Sequence, residues 1–206
     1  MNFLLLLTIL FPLLCGGITF CIPDKCRKTI ICFVTAPLLI TAAACIYICT
    51  CEPVAPFLLF NITDTISISL YSDSLSKYFS IFSSLIWLLV GIYAFAYMKH
   101  EKNQSRFFGF MLISLGMIMA LEFSANLATM YLFFEFATIS SVPLVLHSLT
   151  KPAVSAALKY LFYSIAGAFM GLLGIIFIYN YSEAESFTNF EILNKVQLGE
   201  NSNMLL

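Results

Sequence analysis

Apolar residues run along this chain in long blocks with short polar breaks between them. The blocks fall at 3–22, 29–51, 77–98, 107–122, 126–149 and 153–179. As helices of roughly 20 residues, such blocks cross a hydrocarbon core of about 30 Å. Polar breaks "PDKCRK", "KHEKNQSR" and "TKP" alternate with the stretch from Glu52 to Lys77, with "EFSAN" and with an acidic tail, "SEAESFTNFEILNKVQLGE". One stretch breaks the helical period. In "PFLLFNITDTISISLYSDSL", Ile66, Ile68 and Leu70 alternate with Ser67 and Ser69, which predicts a β-hairpin. The pattern therefore predicts an all-α polytopic membrane protein of six spanning helices, with a short outer β-hairpin between the second and third.

Composition agrees with the pattern. Of 206 residues, 61% are hydrophobic and 10% charged, against about 25% charged in soluble domains. The cations add an orientation. Lys25, Arg27, Lys28, Lys99, Lys102, Arg106, Lys151 and Lys159 fall in or beside one set of alternate loops, and only Lys77 and Lys195 on the other side. The positive-inside rule puts the first set in the cytoplasm and both chain ends outside. The N-terminal block lacks a positive n-region, and Leu14 before Cys15 is a poor cleavage site, so it reads as a retained first helix. Residues 1–180 form the transmembrane domain. Residues 181–206 form a polar tail, and "NSNMLL" reads either as the lead-in to a further helix or as a short interfacial end.

A net charge of −1 leaves no basic surface for nucleic acid. All seven cysteines lie in the first 51 residues with no CxxC pair, so they read as small hydrophobes and predict no metal site. No nucleotide loop, flavin motif or cluster ligand is present, so no cofactor is expected.

The candidate chemistry is a carboxylate inside an apolar run. Glu135 lies nine residues beyond Asn126, a rise of about 13.5 Å, near the middle of a bilayer. An ionised carboxylate there costs about 2.5–3.5 kcal/mol even on lenient scales. Burial then favours the protonated form unless a cation or hydrogen bonds compensate, and either state serves a proton path. Tyr131, Thr138 and Ser141 continue a polar stripe on the same helix face, and Pro143 frees the carbonyl of Ile139 and bends the helix. Lys159, about 10 Å into the sixth span, is the expected partner of Glu135 unless it snorkels to the headgroups. Tyr163 one turn on extends the route. Glu122 and His147 sit near the ends of spans, where solvated interfacial roles are expected, with His147 a weaker candidate for a cytoplasmic relay. In "GAFMG", Gly167 and Gly171, followed by Gly174, predict a face for close helix packing.

"SANLATMYLFFEFATISSVPLVL" followed by "KPAVSAALKYLFYSIAGAFMGLLGIIFIY" resembles the antiporter-like subunits of respiratory complex I, of Mrp-type sodium/proton antiporters and of energy-converting hydrogenases. "YSDSLSKYF" resembles that family's Asp-x-Leu-Ser stretch before the third helix. The resemblance implies proton translocation within a larger membrane complex, of a bacterial or archaeal cell membrane, such as NADH:quinone oxidoreductase. It matches Glu135 to the family's buried fifth-helix glutamate and Lys159 to a lysine that some members carry at the start of the sixth. Full-length members have about fourteen helices in two inverted repeats, and inverted-repeat transporters build their sites between the repeats. Other membrane subunits, including a chain that supplies later helices, are therefore expected partners. The alternatives are a component of an Mrp-type antiporter carrying sodium as well as protons, and a non-conducting structural subunit.

Overall fold

A computed structural model describes residues 2–52, 55–63 and 66–181. Six helices follow the apolar blocks: α1 (Asn2–Thr19), α2 (Arg27–Thr50), α3 (Ser74–Tyr97), α4 (Gln104–Glu122), α5 (Leu127–Val145) and α6 (Lys151–Tyr181). All six are long and apolar enough to cross a membrane. The residues called 181–206 lie almost wholly outside the described ones.

The expected hairpin forms between α2 and α3. β1 (Phe57–Asn61) pairs antiparallel with β2 (Ser67–Leu70), with a register shift between Leu58 and Phe60. Alternation puts Ile68 and Leu70 into the core while Leu58 and Phe60 face outward. The hairpin also reaches the bundle through its backbone. Tyr71 N donates to Phe123 O at 2.7 Å and Ala125 N to Ser69 O at 3.0 Å, so the α4–α5 connection docks on the end of β2. At the opposite end, Asp24 of the α1–α2 loop accepts from Ser105 N at 3.0 Å and Ser105 Oγ at 2.9 Å. Arg106 donates to the carbonyl of His147 at 2.6 Å. The three loops away from the hairpin therefore meet on one side, as six crossings require.

The core lies among α1, α2 and α4, with Ile30, Val34, Cys45, Leu112, Leu115 and Met119 fully enclosed. Glycines set the closest approach, at the α1–α4 crossing. A Cβ on Gly16 would stand 2.8 Å from Gly109 O, and one on Gly116 2.9 Å from Ile9 O. The expected packing face on α6 meets no helix among the described residues. Among the described residues nothing lies within 4 Å of a Cβ on Gly167, Gly171 or Gly174, and α6 packs mainly along α5. α5 is also shorter than the block at 126–149. It ends at Val145, and the chain turns through Leu149, whose φ of 53° is left-handed.

Candidate functional site: an intramembrane carboxylate on a capped helix

The start of α5 is fixed from outside the helix. Asn126 Oδ1 accepts from Thr129 N at 2.8 Å, an N-cap. The same side chain donates through Nδ2 to Ser67 O at 2.8 Å and Ser69 Oγ at 3.1 Å. Thr129 Oγ1 in turn accepts from Ser69 N at 3.0 Å. Both residues are buried. This lock between hairpin and helix sets how deep every later residue of α5 sits.

Glu135 is nine residues further along and half-buried, with Oε1 enclosed and without a hydrogen-bond partner among the described residues. Tyr131, one turn earlier, presents its hydroxyl to the carboxyl. Thr138 is buried on the next turn. Ser141 Oγ donates to Thr138 O at 2.7 Å and shares a 2.7 Å hydrogen bond with the Tyr160 hydroxyl of α6. The polar stripe of α5 thus continues onto α6 at Tyr160, a residue the sequence reading passed over. Its cue was its place beside Lys159, one residue further round the helix.

Lys159 does not join Glu135. At 100° per residue it stands about 200° from Ala157, which packs inward, and so faces away from α5. Lys159 and Tyr163 are exposed and line an open cleft of about 550 Å³ with Leu158 and Phe162. No ion pair forms between Glu135 and Lys159 among the described residues. On the hairpin half, Tyr131, Phe134, Gly167 and Gly171 line an apolar groove of about 460 Å³ between α5 and α6.

His147 lies in the turn beyond α5, against the ring of Phe107. Burial, then the Arg106 charge beside it, hold its pKa below the ordinary imidazole value of 6.5, while Glu101, the Lys102 backbone and Asp24 pull the other way. Its Nδ1 is enclosed without a partner among the described residues. A neutral imidazole here borders a cleft of about 400 Å³ with Glu101, Lys102 and Ser148. The expected solvated role is therefore only half met, since the ring is wedged between α4 and the turn.

Glu122 differs from its expected solvated place. It ends α4, yet its Oε1 accepts from Ser83 of α3 and its Oε2 is enclosed. Helical side chains tilt toward the N-terminus, so a glutamate on the last turn sends its carboxyl back into the bundle. Among the described residues no cluster of three His, Cys, Asp or Glu side chains suits a metal ion.

Comparison with known proteins follows the same features. Residues 124–206 match the family model described as NADH:quinone oxidoreductase/Mrp antiporter, TM. Residues 60–108 match the model for the N-terminus of chain 5 of NADH-ubiquinone oxidoreductase (complex I). The chloroplastic NAD(P)H-quinone oxidoreductase subunit 5 of Lepidium virginicum is 33% identical over 137 residues, 66% of this chain and 18% of the relative. That of Drimys granadensis is 33% identical over 126 residues, 60% of this chain and 17% of the relative. The chain thus spans under one fifth of the length of these curated relatives. Among solved structures, respiratory complex I from Thermus thermophilus with bound NADH superposes with a TM-score of 0.74 at 19% identity, over 96% of this chain and 40% of that one. An archaeal membrane-bound sulfane sulfur reductase superposes at 0.73 and 18% identity, over 88% of this chain and 38% of that one. In the regions that the two family models cover, the chain is similar to the antiporter-like subunits of the complex I family.

Proposed function

We propose that this chain forms part of a proton-translocating, antiporter-like membrane subunit of a redox-driven complex, with Glu135 as a proton-exchanging group. A single observation carries the reading. A carboxyl sits nine residues inside a capped apolar helix, with one oxygen enclosed and no cation paired to it among the described residues. Such a group is costly as an anion and serves as a proton carrier when the charge around it changes. Tyr131, Thr138, Ser141 and Tyr160 provide a hydroxyl track beside it, and His147 stands where that track meets the far loops.

Lys159 acts from the opposite face of α6, toward further helices, in this polypeptide or another, that cover its cleft. Other membrane subunits of a respiratory assembly complete the device, as the complexes matched in fold support. The 8 to 2 split of cations supports placing the hairpin and both ends on the outer side. The test is Glu135→Gln in the native complex, read as proton uptake into sealed vesicles on addition of electron donor. Assembly is unchanged and coupled pumping falls to background. Full pumping in the assembled variant would remove Glu135 from the path.

A further inference from the structure

A second carboxyl stands apart from the α5 track. Glu122 is half-buried at the α3–α4 interface, where Ser83 donates to Oε1 and the enclosed Oε2 meets no partner among the described residues. The surroundings are polar but uncharged. Ser80 and Ser84 of α3 are buried and face the thiol of Cys45 on α2. Cys45 is itself enclosed, 3.7 Å from Met119 Sδ. Ser80 Oγ donates to Lys77 O at 3.0 Å and Ser84 Oγ to Ile81 O at 2.9 Å, so both hydroxyl protons are directed to backbone oxygens of their own helix.

Among the described residues no cation pairs with Glu122. Lys77 of α3 directs its ammonium to the carbonyl of Cys51 instead. α1 carries no charged residue, and α5 offers only Tyr131 and Glu135. A carboxylate with one donor and one enclosed bare oxygen carries a heavy desolvation cost. A neutral carboxyl does not, and gains an O–H to share with serine oxygens.

We propose that Glu122 is a second proton-holding group of this chain, a neutral carboxyl hydrogen-bonded to Ser83 and set among the buried serines of α3. Proton holding stands on the α3–α4 geometry alone; a place in a translocation path rests on the reading of Glu135.

Infrared difference spectroscopy of the native complex at neutral pH tests it. The spectrum of wild type minus Glu122→Gln contains the carbonyl stretch of a protonated carboxyl, which shifts in heavy water. Ser83→Ala moves that same band, because one hydrogen bond to the carbonyl oxygen is gone. Loss of carboxylate bands with no protonated band in the Glu122→Gln difference would overturn the proposal. So would an unmoved band in Ser83→Ala, which also decides the matter if Glu122→Gln fails to accumulate. Pumping that survives Glu135→Gln would sink the proton-path reading and leave the Glu122 band readable in its own right.

Discussion

Asp24 shows how much one exposed side chain can organise on the loop side. It reaches across from the α1–α2 loop to the first turn of α4 and takes the Ser105 amide and hydroxyl. A carboxylate at a helix N-terminus satisfies orphan amides and meets the positive end of the helix dipole. Partial burial alone would raise its pKa, but hydrogen bonds from Ser105 and from the Asn103 and Gln104 backbone outweigh it and hold the group below its ordinary 3.8. The linkage sign follows. The contact is fully present above the ordinary carboxylate value and is lost as pH falls through the lower folded value. Asp24→Ala removes the cap for about 1 kcal/mol or less, given its exposure. Amide hydrogen exchange at Ser105 and Gln104 then accelerates up to about fivefold at neutral pH. Unchanged exchange would mean that the contact holds nothing in place. In the sequence, "PDKCRK" registers as a cation cluster, and the role of its aspartate depends on a helix 81 residues away. Glu135 is legible because a charge inside an apolar block needs no tertiary knowledge. Glu122 is not, because its place at a block end points to solvent while the tilt of helical side chains returns its carboxyl to the bundle.

At the scale of elements, block lengths and the serine–isoleucine alternation were enough to locate six helices and the hairpin, with ends displaced by a few residues. Which helix faces meet was not legible. "GAFMG" carries the familiar small-residue spacing, yet the close crossing sets Gly16 of α1 against Gly109 of α4, and Gly116, two turns on, against Ile9 and Leu13 of α1. Spacing fixes which residues share a face and leaves open which neighbour that face finds. Gly16→Ala places a methyl 2.8 Å from a backbone oxygen that cannot swing aside, an overpacking cost of about 1–3 kcal/mol. Gly171→Ala meets nothing within 4 Å and gains helix propensity of about 0.5–1 kcal/mol. Thermal unfolding in mild detergent should separate them, with Gly16→Ala melting lower and Gly171→Ala at or above wild type. Equal loss in both would contradict the α1–α4 crossing.

Across the whole molecule, burial falls steeply from α4, more than half enclosed, to α6, where only 6% of the span is buried. Exposure alone does not say whether a face meets lipid or protein. Phe82 of α3 and Phe169 of α6 are both 62% exposed, and their neighbours decide between the two. Around Phe82 the outward residues of α3 include Tyr78, Phe79, Leu85 and Leu89, a surface that hydrocarbon covers without cost. The outward face of α6 carries Lys159 about 10 Å inside the span, with Tyr163 one turn on. An ammonium turned to hydrocarbon at that depth is expensive, so this face is expected to lie against protein that pairs or solvates it. A photoreactive phenylalanine analogue at position 169 should therefore capture a protein segment in the intact complex, while the same analogue at position 82 captures lipid. Lipid capture at both positions would mean that Lys159 reaches the headgroups along its own stem, and Glu135 would then have to exchange its proton without a lysine from α6.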